Sequence, residues 1–146
     1  MSLPRREHVL FLCTGNSCRS QMAEGFFRGL APAGMTVESA GTNPIGLHPR
    51  AVAIMAEAGI DISGHRSNGI DPSMYPRATR IVTVCGHADQ RCPVPPPGLP
   101  KEHWPIDDPA AVGSESEEAV RASFRKTRDE IRGRVEALIR RLSQGP

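Results

Sequence analysis

Apolar and polar positions along this chain fall into blocks of two kinds. Short apolar runs occur at 8–13 (HVLFLC), 35–41 (MTVESAG) and 78–85 (ATRIVTVC). Such runs, with β-branched or aromatic members, predict strands. A weaker run at 102–106 (EHWPI) predicts a fourth. Between them, apolar residues recur three and four apart. Met22, Ala23, Phe26, Phe27 and Leu30 mark a helix over 20–31, with Ser20 placed to cap its start. Pro49 and Gly59 frame a second helix over 49–60. Val120, Phe124, Ile131, Val135, Leu138 and Leu142 share one side of a long helix over 114–142.

Strands alternating with helices imply an α/β fold with a parallel sheet covered on both faces. A chain of 146 residues suits one domain, taken here as 1–146. In such sheets ligands sit beyond the carboxyl ends of the strands, where strand order reverses. Two predicted strands finish in a thiol, at Cys13 and Cys85. Neighbouring strands lie about 4.8 Å apart, so adjacency would bring both sulfurs to one edge.

Composition narrows the function by exclusion. The net charge of +2, from 18 basic and 16 acidic residues, is too small to lead with nucleic acid. No apolar run approaches the roughly 20 residues that span a bilayer, and the start lacks a leader-like apolar core. The expectation is a cytoplasmic monomer with no membrane and no nucleic-acid partner. Thiols stay reduced in that compartment, so Cys13, Cys18, Cys85 and Cys92 read as reactive, metal-bound or buried rather than as static staples. The Cys13–Cys18 and Cys85–Cys92 spacings lack the two-residue interval of common zinc sites. His48, His65, His87 and His103 are scattered singly and read as surface or loop residues.

The loop after the first strand carries the strongest chemistry. Cys13, Thr14, Gly15, Asn16, Ser17, Cys18, Arg19 and Ser20 form a strand-to-helix turn. Main-chain N–H groups converge at such a helix start and hold anions. Arg19 adds a planar fork of donors suited to a tetrahedral oxyanion. Cys13 lies at the base of that positive cup, where a thiolate nucleophile is favoured. Ser20 could donate to the sulfur. No Gly-Lys-Ser/Thr follows, so this is not a nucleotide loop. Cys18 reads as a small residue facing the fold. Farther on, Asp107 and Asp108 sit in WPIDDPA. A displacement at an oxyanion needs its leaving oxygen protonated, which a carboxylic acid can do.

The stretch FLCTGNSCRSQMAEG closely resembles the start of the low-molecular-weight tyrosine phosphatase superfamily. More narrowly it resembles the thioredoxin-coupled arsenate reductases built on that fold. SAGT, HPRAV, GIDIS and KEHWPIDDPA extend the resemblance to the last helix. The resemblance implies a three-layer α/β/α fold with a four-stranded parallel sheet, flavodoxin-like in plan. It also implies that Cys13 attacks the oxyanion, that Arg19 binds it, and that Asp108, the Asp of an Asp-Pro pair, is the acid. Cys85 and Cys92 then match the family's resolving pair, passing a disulfide outward to thioredoxin. A helix would hold two residues seven apart at about 10 Å, beyond the ~7 Å a disulfide allows. The segment 86–100 is therefore expected to move when the pair oxidises.

Two further implications belong to the resemblance. No tightly bound cofactor is expected, but some relatives hold potassium beside the loop. Asn16, Glu24 and Ser39 match three of its ligands, while Asn68 stands in place of an Asp, which would leave at best a weak site. The alternatives are a tyrosine phosphatase, or a non-catalytic thiol sensor of arsenic or redox state. For the reductase, weak side activity on small phosphoesters is expected, since the loop would bind either oxyanion. Against a tyrosine phosphatase, Ala residues follow Asp-Pro where aromatics would grip a phenol ring, and aromatics total only 4%.

Overall fold

The computed structural model describes residues 6–86, 92–111 and 116–144. Strand β1 (His8–Cys13) leads into helix α1 (Arg19–Leu30), then β2 (Thr36–Gly41) and α2 (Pro49–Glu57). A four-residue helix, α3 (Met74–Arg77), precedes β3 (Arg80–Val84) and β4 (Lys101–Trp104), and α4 (Glu117–Ser143) closes the described chain. All pairings are parallel and the strand order is β2-β1-β3-β4.

Strand β1 is internal to the sheet, in keeping with its apolar sequence. Val9, Leu10, Phe11 and Leu12 are all buried, so both faces of the strand are covered. Val9 and Phe11 face one core, with Val82, Val84 and Trp104 beside them and α1, α2 and α4 packed on top. Phe11 meets Phe27 edge-on at 6.2 Å and Trp104 at 5.5 Å between ring centroids. Truncating a ring so placed costs about 3–5 kcal/mol in other cores. Leu10 and Leu12 face a smaller cluster with Ala40, Ala78 and Ile81. Among the described residues, α3 and irregular segments cover that side, through Ile70, Met74, Tyr75 and Leu99. The three layers are thus unequal in thickness.

Several element ends differ from the sequence reading, for local reasons. The α1 helix begins at Arg19, with Cys18 at its N-cap position and no side-chain cap, so Ser20 lies inside the helix rather than capping it. The α2 helix stops at Glu57, because Gly59 adopts φ +81° and turns the chain. Pro105, which lacks an N–H, follows the last residue of β4. Ser116 caps α4 by accepting from the Ala119 N–H at 3.2 Å. The gap in the apolar stripe of α4 is filled by Thr127, which is buried with Phe124, Ile131, Val135 and Leu138. Glu57 ties α2 to α4. It accepts from Arg125 and Arg128 at 2.8–3.0 Å, and the Arg125 hydrogen bonds lead in holding its carboxyl at about 2.

Candidate active site

Strands β1 and β3 are adjacent, with Leu12 opposite Thr83. Continuing that register places Cys13 beside Val84, with Cys85 one residue beyond. Both thiol positions therefore leave the sheet at one carboxyl edge, between the strand pairs where the order reverses.

From Cys13 the chain turns through the loop 14–18 into α1. Asn16 directs its main-chain N–H to the Cys13 sulfur at 3.2 Å, and Ser20 Oγ lies 2.8 Å from it. Asn16 Nδ2 donates to Ser20 Oγ at 2.8 Å. The hydroxyl accepts that bond and keeps its own hydrogen available to the sulfur. Two donors thus converge on Cys13, which is what a nucleophilic thiolate requires.

Arg19 is 4% exposed and bridges the loop to the far side of the cleft. Its Nη1 donates to the Ile106 carbonyl at 2.9 Å, while Nη2 stands 3.9 Å from Asp108 Oδ2. Asp108 also accepts from the Ala110 N–H at 2.9 Å, so one oxygen shapes the turn and the other faces the cleft. Asp107 points elsewhere, against Gly86. A Cβ built at Gly86 would lie 2.0 Å from Asp107 Oδ1 and 2.5 Å from its Cα.

Cys13, Thr14, Gly15, Ser17, Cys18, Arg19 and Asp108 line the cleft together. Burial, followed by the charge of Asp108, pushes the Cys18 thiol up to about 12. A pKa raised in this way disfavours its thiolate. Cys13 and Cys18 are free thiols, whereas Cys85 and Cys92 form a disulfide with their Cα atoms 5.9 Å apart. Of the segment expected to move, 87–91 lies outside the described residues; 92–100 runs without regular structure, and Val94 in it is 87% exposed.

Sequence reasoning missed the second wall of the cleft. Residues 42–48 run beside the anion loop and donate to it in succession. Asn43 N–H reaches the Thr14 carbonyl at 2.8 Å, Ile45 N–H that of Gly15 at 3.1 Å, and His48 N–H that of Ser17 at 3.2 Å. Asn43, Ile45 and His48 also line the cleft, as does Ala110. No Phe, Tyr or Trp is among the described lining residues.

Asn16, Glu24, Ser39 and Asn68 do come together, but as a hydrogen-bonded cluster whose oxygens are already used. Asn16 Oδ1 accepts from Gln21 Nε2 at 3.0 Å and from the Asn68 N–H at 2.7 Å. Glu24 accepts from Ser39 Oγ at 2.7 Å and from Arg28 Nη2 at 2.8 Å, with His65 Nδ1 at 3.5 Å. Asn68 turns its Nδ2 toward the carbonyls of Ser39 and Arg66, at 3.5 and 3.1 Å. Arg28 already pairs with the carboxylate of this set, so a potassium ion here would compete with these hydrogen bonds.

The comparisons with known proteins agree with this geometry. Residues 8–145 match the low molecular weight phosphotyrosine protein phosphatase family. The chain belongs to that family. Within it, the arsenate reductase of Bacillus licheniformis is 48% identical over 131 residues, covering 89% of this chain and 93% of the relative. A solved arsenate reductase in the phosphate binding state is 37% identical and superposes with a TM-score of 0.77, covering 94% of this chain and 99% of the other. A thioredoxin-dependent arsenate reductase of Corynebacterium glutamicum is 26% identical with a TM-score of 0.74, covering 96% of this chain and 63% of that one. The family fold accounts for the parallel sheet and for the cysteine loop at the end of β1.

Proposed function

We propose that this protein reduces arsenate to arsenite through Cys13, Cys85 and Cys92, with a thioredoxin-type dithiol protein as electron donor. The observation that carries the reading is the disulfide at the exit of β3, on the strand next to the one that ends in Cys13. A phosphatase has no use for such a pair.

The steps balance as follows. Arsenate enters the loop against Arg19. The Cys13 sulfur bonds to arsenic, and a hydroxyl leaves as water with a proton from Asp108. The Cys85 thiolate attacks the Cys13 sulfur. The electron pair of the S–As bond passes to arsenic, arsenite departs, and a Cys13–Cys85 disulfide remains. Cys92 then attacks Cys85, giving Cys85–Cys92 and freeing Cys13. The present structure has the thiol pattern of that last state. A dithiol protein reduces the pair and is itself oxidised. No metal ion enters any step.

Turnover of arsenate with thioredoxin, thioredoxin reductase and NADPH tests this on wild type and three variants. Wild type consumes NADPH continuously. Cys13→Ser consumes none, while Cys85→Ser and Cys92→Ser do not cycle. Steady cycling by Cys92→Ser would sink the relay. The same cleft should hydrolyse small phosphoesters slowly, and that activity should survive Cys92→Ser.

A further inference from the structure

We propose that His48 is a further oxyanion-binding residue of this cleft, its Nε2–H donating to an oxygen of the bound tetrahedral anion on the Asp108 side. Three anchors fix the ring. The main-chain N–H of His48 donates to the Ser17 carbonyl at 3.2 Å, so residue 48 is tied to the anion loop itself. At the other end Nδ1 accepts from the Arg50 N–H at 3.1 Å, as the N-cap of α2. The ring also packs on Phe124, with centroids 5.1 Å apart and planes tilted by 49°.

The capping bond decides the tautomer. An imidazole nitrogen that accepts a hydrogen bond carries no proton, so a neutral ring holds its hydrogen on Nε2. With Nδ1 on Arg50 and a face on Phe124, the Nε2 edge is what remains for the cleft. His48 lines that cleft together with Cys13, Arg19 and Asp108. Burial, then the neighbouring Arg50 charge, lowers the proton affinity of the imidazole, which keeps the ring neutral. Asp108 opposes that shift, so its carboxylate lies within electrostatic reach of the ring. The result is an uncharged, pre-aimed donor on the side of the cleft where the leaving oxygen must be protonated.

The inference rests on the reading above only for the name of the substrate, because phosphate shares the chemistry. His48→Asn is the variant to make. Asparagine is a good N-cap, so its Oδ1 keeps the Arg50 bond while the ring edge is lost. Binding of inorganic phosphate is measured by titration calorimetry, and arsenate KM in the coupled assay. Both constants should rise about tenfold, the loss of one hydrogen bond to a charged group, with the effect carried by KM rather than kcat. Unchanged phosphate affinity in a folded His48→Asn overturns the proposal, as does a loss confined to kcat. In wild type, the His48 Nε2 signal in imidazole ¹⁵N spectra should shift on saturation with phosphate. A signal that stays put overturns the proposal even if the variant does not fold. Phosphate binding needs no turnover, so failure of wild type to reduce arsenate would remove the proposed function and leave this proposal standing.

Discussion

Asn16 stands at φ +46°, in the left-handed region that asparagine enters more readily than most residues. From there its N–H reaches the Cys13 sulfur, and its side chain joins Ser20, Ser39, Gln21 and the Asn68 backbone. The loop is held from inside by one residue and from outside by the wall at 42–48. Cys13 and Cys18 are both buried but differ in partners: the Asn16 N–H and the Ser20 hydroxyl converge on the Cys13 sulfur, while Cys18 lies 4.0 Å from Ser17 Oγ. Its pKa of about 12 predicts that iodoacetamide at pH 8 modifies Cys13 and spares Cys18, read by peptide mass spectrometry. Labelling of Cys18 at pH 8 would refute this. Cys18→Ser should keep arsenate turnover. The three side chains that the sequence singled out for oxyanion chemistry, Cys13, Arg19 and Asp108, do meet in one cleft. The wall at 42–48 was not legible in the sequence, since Asn43, Ile45 and His48 clamp the loop with main-chain N–H groups that any residue but proline supplies.

At the scale of elements, close approaches decide what the helices and strands can do. A Cβ at Gly41 would fall 2.4 Å from the Thr14 carbonyl oxygen and 2.8 Å from Asn16 N, so the end of β2 presses directly on the loop that follows Cys13. Gly41→Ala should therefore destabilise the fold by about 1–3 kcal/mol, the usual cost of overpacking, and lower kcat/KM as well. Thermal melting and the coupled assay would measure the two effects; a variant as stable and active as wild type would show that the loop yields easily. The sequence announced Gly41 as the end of a strand but not what it touches, because the contact lies more than twenty residues away along the chain. Helix α3 escaped notice for a different reason. Four residues that include Pro76 show no periodicity, and none of them is buried. The long α4, by contrast, was plain from its stripe, with Thr127 as the one polar member that burial recruits.

For the molecule as a whole, the order β2-β1-β3-β4 sets both thiol-bearing strands side by side at the sheet's centre. Strand adjacency follows from pairings that local pattern does not encode, so the sequence could say only what would happen if the two were neighbours. Redox change should then be confined to one edge. Hydrogen exchange on reduced and oxidised protein is expected to differ at Gly86 and through 92–100, while β1 and α1 keep equal protection. Identical exchange in both forms throughout that region would argue against any movement of the pair.

Gly86 adds a consequence for anyone who would engineer this protein. Asp107 already occupies the volume that a methyl group at position 86 would need. The residue beside the Cys85–Cys92 bond therefore admits no bulkier side chain without pushing the carboxylate-bearing turn off its seat. A heat-hardened variant would have to find its rigidity in distant parts such as the long terminal helix and leave this pivot bare.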